Sequence, residues 1–520
     1  MKAVTGMENM VNKCFCFWKK NLKELLYALI FGILAHFVML ADYLFNHDAI
    51  SMFYSDLSWT LAQGKWFAGT ISTIKGALPI HYVTGILGLV FLAMTSILIV
   101  NIFEIEKAMD KYVIITLFMI YPSVAICLIY NALDYFAITA FMSVLAAFIA
   151  KKYTKVSWVI AVVVLTLSIG TYQGYISFAA AFFVVICIHK MISTDNKIVD
   201  VIKEGLYYIS ILAVSAILYY LILKVDIGIK GIELGSYKGA DNMTQILNPI
   251  VLMNAIIVAF KLVAGYLWSD NLGTQSIQFI VIYRFFVLVF VFTIIKKIIT
   301  LIKKREYMRM ILLIILSFVI FPISVNLSGV LSNNVSFYYV TVYPLVLLFI
   351  ETYLLASRDS EKVIGVIIKD MTTLAMFCLI FNMFILDNTQ YEKSRYSAMQ
   401  ISAKSTELCT TIHNVKGVTN DTPVVFVGKA PFSFLKSTGV GITYEEEHIR
   451  GIGSPSELIY SDEILESYLC NVLSYDLNIV HYDIFEDKFT KQIDLMNIYP
   501  SEGSVKLIDG NLFIKLSSDY

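Results

Sequence analysis

Charge is scarce in this chain. Only 15% of its 520 residues are Asp, Glu, Lys or Arg, and 58% are apolar, whereas soluble domains carry about 25% charged and roughly 45–50% apolar residues. That composition, with a mean hydropathy of +0.72, excludes an ordinary soluble globule. An excess of one sign is also missing: 40 basic residues stand against 40 acidic ones, which argues against a nucleic-acid-binding surface. The common catalytic motifs are absent too. There is no P-loop, no GxGxxG after a strand, no HExxH and no GxSxG. No D-x-D pair is present to hold a metal-bound nucleotide sugar, and the seven cysteines make neither a CxxC nor a zinc-ligand spacing. ATP-driven transport and nucleotide-sugar chemistry both lose support, and an enzyme of this kind would receive its activated substrate through the membrane.

What the chain has in quantity is long apolar runs, each able to cross about 30 Å of hydrocarbon. They predict spans near 22–45, 81–102, 112–130, 133–150, 156–170, 174–190, 206–224, 277–299, 309–327, 337–356 and 363–386. The connections KKYTK (151–155) and KKIITLIKKREYMR (296–309), with the N-terminal KCFCFWKK, are rich in lysine and arginine, whereas YNALD, GTYQG and NLSGVLSNN have no basic residue. Basic loops stay in the cytoplasm, which places the N-terminus there. The run at 248–268 carries Lys261 near its middle, and counting it would turn the basic loop 296–309 outward. It is read as an interfacial or re-entrant helix, with Tyr266 and Trp268 at headgroup depth. The count is then 11 spans, or 12 if 248–268 crosses, and with 11 the C-terminus lies outside. The first run is too long for a signal peptide and has no small-residue cleavage site, so it is expected to remain as the first span.

Composition changes after FILD (384–387). The expected organisation is a membrane domain over 1–387, with a first outer loop at 46–80, and an extracytoplasmic α/β domain over 388–520. In the tail, SRYSAMQISAKSTELCTTIHNV reads as a polar helix, TPVVFVGK as a strand and SDEILESYLCNVLSY as a helix. VKLIDGNLFIKLS reads as a hairpin turning at Asp509–Gly510. Cys409 and Cys470 fall in this domain, either paired or free. Cys14 and Cys16, near the membrane surface, are read as unmodified thiols in preference to palmitoylation sites.

The stretch NHDAISMFYSD (46–56) puts carboxylates where the first span ends. The first outer loop supplies Asp48, Asp56, Lys65 and Trp66. The next outer turn, YNALDYF, adds Asp134, and SIGTYQGYIS adds Tyr172 and Gln173. Rings that stack on pyranose faces, with carboxylates and amides for hydroxyls, suit carbohydrate. Arg284 lies within the span 277–299, where an arginine faces protein, a cavity or an anion; phosphate is the favoured ligand for it and for Lys65. Plain structural alternatives remain open. Asp48 and Asp56 can be solvated loop acids, and Asp134 a helix-start acid favoured by the dipole. Gly170 and Gly174 explain the turn at Tyr172–Gln173 without function, and Arg284 can pair with a buried acid. Asp42 is expected at headgroup depth, paired or snorkelling, and His36 and Cys127 are read as packing residues.

The succession NHD, GKWF, LPIHYVTGILGL, YPSVAICLIYNALDYFA and SIGTYQGYIS resembles the glucosyltransferase GtrII family, closely over residues 25–190 and loosely over the later spans. GKW stands here where the family leads one to expect GRW; the charge is kept and any bidentate contact is altered. The resemblance implies a polytopic α-helical membrane enzyme of the GT-C architecture in the bacterial plasma membrane. It would move a sugar, glucose by the family's name, from polyprenyl phosphate to a cell-surface polysaccharide or teichoic-acid-like acceptor. Asp48 would be the catalytic base and no metal would be required. Its associates would be a donor synthase and a lipid-linked-sugar flippase. A polysaccharide polymerase or ligase would centre on arginines and histidines in late loops, which NLSGVLSNNVSF lacks, and a lipid-linked-sugar transporter would show charged or broken helices at midspan.

Overall fold

The computed structural model describes residues 12–42, 44, 46–51, 57–75, 80–193, 197–236, 239, 243–269, 277–336, 340–358, 363–428, 459, 461–485 and 488–518. The chain divides into two units. The first comprises residues 1–40, 57–128 and 132–387; the second comprises 41–56, 129–131 and 388–520.

The first unit is helical. After α1 (Leu22–Ala35) and α2 (Phe37–Ala41), the loop helices α3 (His47–Ser51), α4 (Leu57–Ala62) and α5 (Trp66–Lys75) follow, α3 belonging to the second unit. The long helices are α6 (His81–Ile102), α7 (Ala108–Met119) continued by α8 (Pro122–Ile129), α9 (Leu133–Ala150), α10 (Lys155–Thr171), α11 (Ile176–Ser193) and α12 (Ile198–Lys230). Then come α13 (Pro249–Ser269), α14 (Ile277–Lys303), α15 (Tyr307–Ile315), α16 (Phe321–Val325), α17 (Leu327–Leu331), α18 (Val346–Arg358) and α19 (Val363–His413). Among the described residues, nine helical segments are long and apolar enough to cross a membrane. Two shorter apolar helices, Lys155–Thr171 and Tyr343–Ser357, accompany them.

Surface chemistry identifies what surrounds these helices. On α12, Tyr208, Ile211, Ser215, Tyr219 and Leu223 are buried at helical spacing, yet the opposite face carries exposed Ile209, Ile217, Leu221 and Val225. A helix apolar on both faces is suited to lipid, not water. This is a membrane protein.

Several expected spans are interrupted. The first breaks at His36, a buried residue whose Nε2 donates to the Met119 carbonyl over 2.9 Å. The third breaks before Pro122, which has no N–H to continue the ladder. Between α15 and α16 the helix widens into a π turn at Leu316–Ile320, just ahead of Pro322. Cys127, like His36, is buried in the bundle.

The polar connections gather at one end of this unit. Lys151 pairs with Glu104 at 2.6 Å and Lys190 with Glu204 at 2.6 Å. His189 Nδ1 lies 2.9 Å from Glu351, and Tyr353 donates to Asp110 over 2.8 Å. Lys297 and Arg309 donate to the carbonyls of Ile192 and Met191. The start of α12 and the last turns of α14 therefore lie at the same, basic end, so Lys230 and Ile277 lie at the other. The helix between them, α13, begins and finishes away from the basic end. Its Tyr266 is not at a lipid headgroup, as expected from sequence, but is buried in protein between the hydroxyls of Tyr121 and Tyr283, 3.1 Å from each.

The second unit holds a four-stranded sheet: β1 (Pro423–Val427), β2 (Asn478–Ile479), β3 (Val505–Ile508) and β4 (Asn511–Lys515), in the order β2-β1-β4-β3. β1 runs parallel to β2 and β4, and β3 pairs antiparallel with β4. Asp509 and Gly510 both have positive φ (47° and 80°), the twist a two-residue hairpin requires. The polar helix expected to open the tail is not separate. It is the continuation of α19, which runs unbroken for 51 residues, about 76 Å at 1.5 Å per residue. Cys409 and Cys470 are free thiols.

Candidate active site

Four of the residues expected to bind substrate meet in the first unit. α4 is closed by a turn at Gly64, whose N–H bonds the Leu61 carbonyl while that of Lys65 reaches back to Thr60. This closure needs a left-handed residue, and Gly64 has φ +81°. Space demands glycine as well. A Cβ here would stand 2.5 Å from Gln173 Nε2 and 2.7 Å from the Tyr219 hydroxyl. Those two groups tie the turn down: Gln173 donates to the Gln63 carbonyl over 2.7 Å and to Tyr219 over 3.0 Å, and Tyr219 donates to the Gly64 carbonyl over 3.0 Å.

The turn in its place presents a cation and rings. Lys65 Nζ donates to Gln63 Oε1 over 2.6 Å and lies 5.5 Å from the centre of the Tyr172 ring. Tyr172 meets Phe136 edge to face at 4.8 Å. Trp66, which opens α5, lies so close over Gly170 that a Cβ would approach its indole to 2.5 Å. Gly170 is thus a packing requirement of Trp66. Two donors here, Gln63 Nε2 and Trp66 Nε1, are buried without a hydrogen-bond partner among the described residues. Asp134 is 2% exposed in the first turn of α9, one and two residues before Tyr135 and Phe136; Tyr135 bonds Ser72 of α5. The group as a whole is rich in donors and ring faces, which suits an oxygen-rich or anionic ligand.

Asp48 is in the second unit. Asn46 caps α3, its Oδ1 accepting from the N–H groups of Asp48 (3.0 Å) and Ala49 (3.3 Å). Ala49 and Ile50 are fully buried in the core formed by Ile401, Leu408, Ile412, Phe426, Ile464 and Leu465, among others, and Ser467 donates to the Ile50 carbonyl over 3.3 Å. Asp48 stands on the outward side of this helix with its side chain half exposed, 3.3 Å from His47 Nε2. Asp42, in the same unit, pairs with Arg395 at 3.2 Å. Asp56 lies outside the described residues.

Arg284 has other company. Its Nε donates to the Trp268 carbonyl over 2.8 Å, and the guanidinium sits 5.0 Å from the Trp268 ring. A carbonyl in the last turn of α13 and a ring face offset part of its charge. That leaves its place with α13 and α14, and its contacts are distinct from those of the Lys65 group.

Sequence reasoning missed Gln63 and Tyr219, and quoted Gly64 only as the first residue of GKWF without a role for it. Gln63 adjoins GKW and was within reach of a closer look at that turn. Tyr219 sits in SAILYYLIL, an apolar run that gives no sign of a polar partner. Residues 37–349, more than half of the chain, match the sequence model of a family described as glucosyl transferase GtrII. No curated protein and no solved structure matches the chain significantly.

Proposed function

The chain belongs to the GtrII glucosyl transferase family, and from that premise we propose that it transfers a sugar, glucose by the family's description, from polyprenyl phosphate to a glycopolymer hydroxyl at the outer face of the bacterial plasma membrane. The observation that carries this reading is the Lys65–Gln63–Trp66–Tyr172–Gln173 group, a cation with amides and rings in the membrane unit.

In the proposed reaction the acceptor oxygen attacks the anomeric carbon and the bond from that carbon to the phosphate oxygen breaks. Polyprenyl phosphate leaves with the bonding electrons. Lys65 stabilises the charge that builds on the phosphate, and Trp66 and Tyr172 offer faces to the pyranose. Asp48 accepts the hydroxyl proton as base, with His47 beside it. Asp134 and Asp56 are proposed substrate contacts, and Arg284 a second phosphate-binding cation at the α13–α14 pair.

Orientation is supported by the basic connections gathered at one end, which is the cytoplasmic end by the distribution of lysine and arginine. It is also supported by α13 starting and ending away from that end. Eleven crossings, an internal N-terminus and an extracytoplasmic domain over 388–520 follow from this reading. The acceptor is proposed to be a polysaccharide or teichoic-acid-like polymer, and a donor synthase and flippase are proposed to supply the lipid-linked sugar.

The test is transfer of radiolabelled glucose from its polyprenyl phosphate to envelope polymer by the purified protein in nanodiscs. Lys65→Gln is expected to raise the donor KM roughly 10- to 100-fold while the protein stays monodisperse, because a charge-assisted contact is worth about 1.5–3 kcal/mol. An unchanged donor KM removes Lys65 from the phosphate site.

A further inference from the structure

The connection from α19 to β1 folds back on itself and leaves a hollow beside it. α19 ends at His413; the N–H of Val415 then bonds the Ile412 carbonyl, and that of Val418 the Val415 carbonyl. Thr419 and Thr422 close a turn on each other. The Thr419 N–H donates to Thr422 Oγ1 over 2.9 Å, and the Thr422 N–H returns to the Thr419 carbonyl over 3.0 Å. Two bonds tie this turn to the approach to β2. Asn420 Nδ2 donates to Asp476 Oδ2 over 3.1 Å, and Asn478 Nδ2 to the Asp421 carbonyl over 3.0 Å. Buried Ile412 and Val424 lie at the base of the hollow, and His413, Thr419, Asn420, Asp476 and Asn478 form its exposed rim. Its space, open mouth included, is about 280 Å³. All of these residues belong to the second unit.

The rim selects a class of ligand. His413 Nδ1 donates to the Cys409 carbonyl over 2.8 Å, which leaves Nε2 of the neutral ring as an acceptor. Asn420 and Asn478 each keep an amide oxygen and a second N–H, and Asp476 keeps Oδ1; these have no further hydrogen-bond partner among the described residues. Lys416 and Asp421, exposed in the same connection, do not line the hollow. With no lysine or arginine in its wall it does not suit phosphate. One carboxylate is also too little for a divalent cation that takes six or more oxygens. Acceptors and amide donors over an apolar base suit the edge of a neutral ring that carries hydroxyls. We propose that this hollow seats one sugar unit of the acceptor glycan, as a binding site separate from the Lys65 group. The donor carries phosphate and is not its ligand. A polymer offers many copies of the unit, so one can be held here while another reacts. The proposal rests on the glycosyltransferase reading and on the outward placement of 388–520 that goes with it.

The experiment titrates the full chain in nanodiscs with neutral oligosaccharides cut from envelope polysaccharide, read by calorimetry and saturation-transfer NMR. KM is measured separately for the polysaccharide and for short-chain polyprenyl-phosphate glucose. Asp476→Ala removes an acceptor and Thr419→Trp fills the mouth; both residues are exposed, and both variants are expected to fold as the parent does. Each is expected to weaken oligosaccharide binding and raise the polysaccharide KM by about five-fold or more, with kcat and donor KM unchanged. Oligosaccharide binding unchanged in a folded variant overturns the proposal. So does a raised donor KM beside an unchanged polysaccharide KM. If the parent protein transfers no sugar, the enzymatic reading fails by itself. The hollow is then judged by binding alone: binding by the parent that both variants lose upholds it, and no binding by the parent overturns it.

Discussion

For Asp48, what matters is a proton acceptor held at a defined place. Its carboxylate is half exposed and 3.3 Å from His47 Nε2, so replacing it removes no fully buried charge. Asp48→Asn keeps the shape and removes the basicity. Turnover is expected to fall by about 10²–10⁴-fold, the usual worth of a general base, with an unchanged melting temperature. Asp56→Asn is expected to be milder under the same donor and acceptor. Near-normal turnover by Asp48→Asn would move the base elsewhere. Much at this scale was legible. GKW and TYQ stand out as polar interruptions in an apolar sequence, and the structure joins them through Gln173 and Lys65. Tyr219 was not legible, because a tyrosine in an apolar helix faces lipid as readily as protein, and only the neighbouring helices decide. Asn46 was seen as part of a motif, yet its visible duty is to cap α3.

Among the elements, the turn between α4 and α5 is the most constrained. Gly64→Ala must hold a left-handed φ, which costs about 1–2 kcal/mol. It must also displace Gln173 and Tyr219, whose hydrogen bonds are worth about 0.5–1.5 kcal/mol each. A loss of roughly 2–5 kcal/mol is expected, read as a lower melting temperature in detergent together with a raised donor KM. α3 is held differently, through Ala49 and Ile50 in the core of the sheet domain. Ile50→Ala is expected to destabilise that unit by about 2–5 kcal/mol. Limited proteolysis should then cut the tail sooner, and turnover should fall although Asp48 is intact. Sequence could place most helices, because long apolar runs have few other outcomes in lipid. It could place the hairpin because Asp-Gly demands one. It did not show that α19 continues past its apolar stretch. The change of composition suggested a boundary, whereas the backbone meets no proline or glycine between Gly365 and Gly417 and has no reason to stop.

On the scale of the whole molecule, the proposed orientation is the property most open to direct test. A reporter that works only in the cytoplasm, fused after Tyr520, is expected to be silent, and one that works only outside is expected to be active. The reverse result would mean that α13 crosses the membrane or that another helix does not. Of the ion pairs at the basic end, Lys190–Glu204 closes the connection between α11 and α12, and His189–Glu351 joins α11 to α18 across 162 residues.

The seating of α3 has a consequence for engineering. Ala49 and Ile50 fall within the stretch that the family shares, yet they pack in a core whose other residues come from the tail beyond it. Grafting another member's C-terminal domain onto this chain at residue 388 would leave Ala49 and Ile50 facing a foreign core. A functional hybrid must therefore exchange three segments through five junctions, carrying residues 41–56 and 129–131 along with the tail as a single transplanted module.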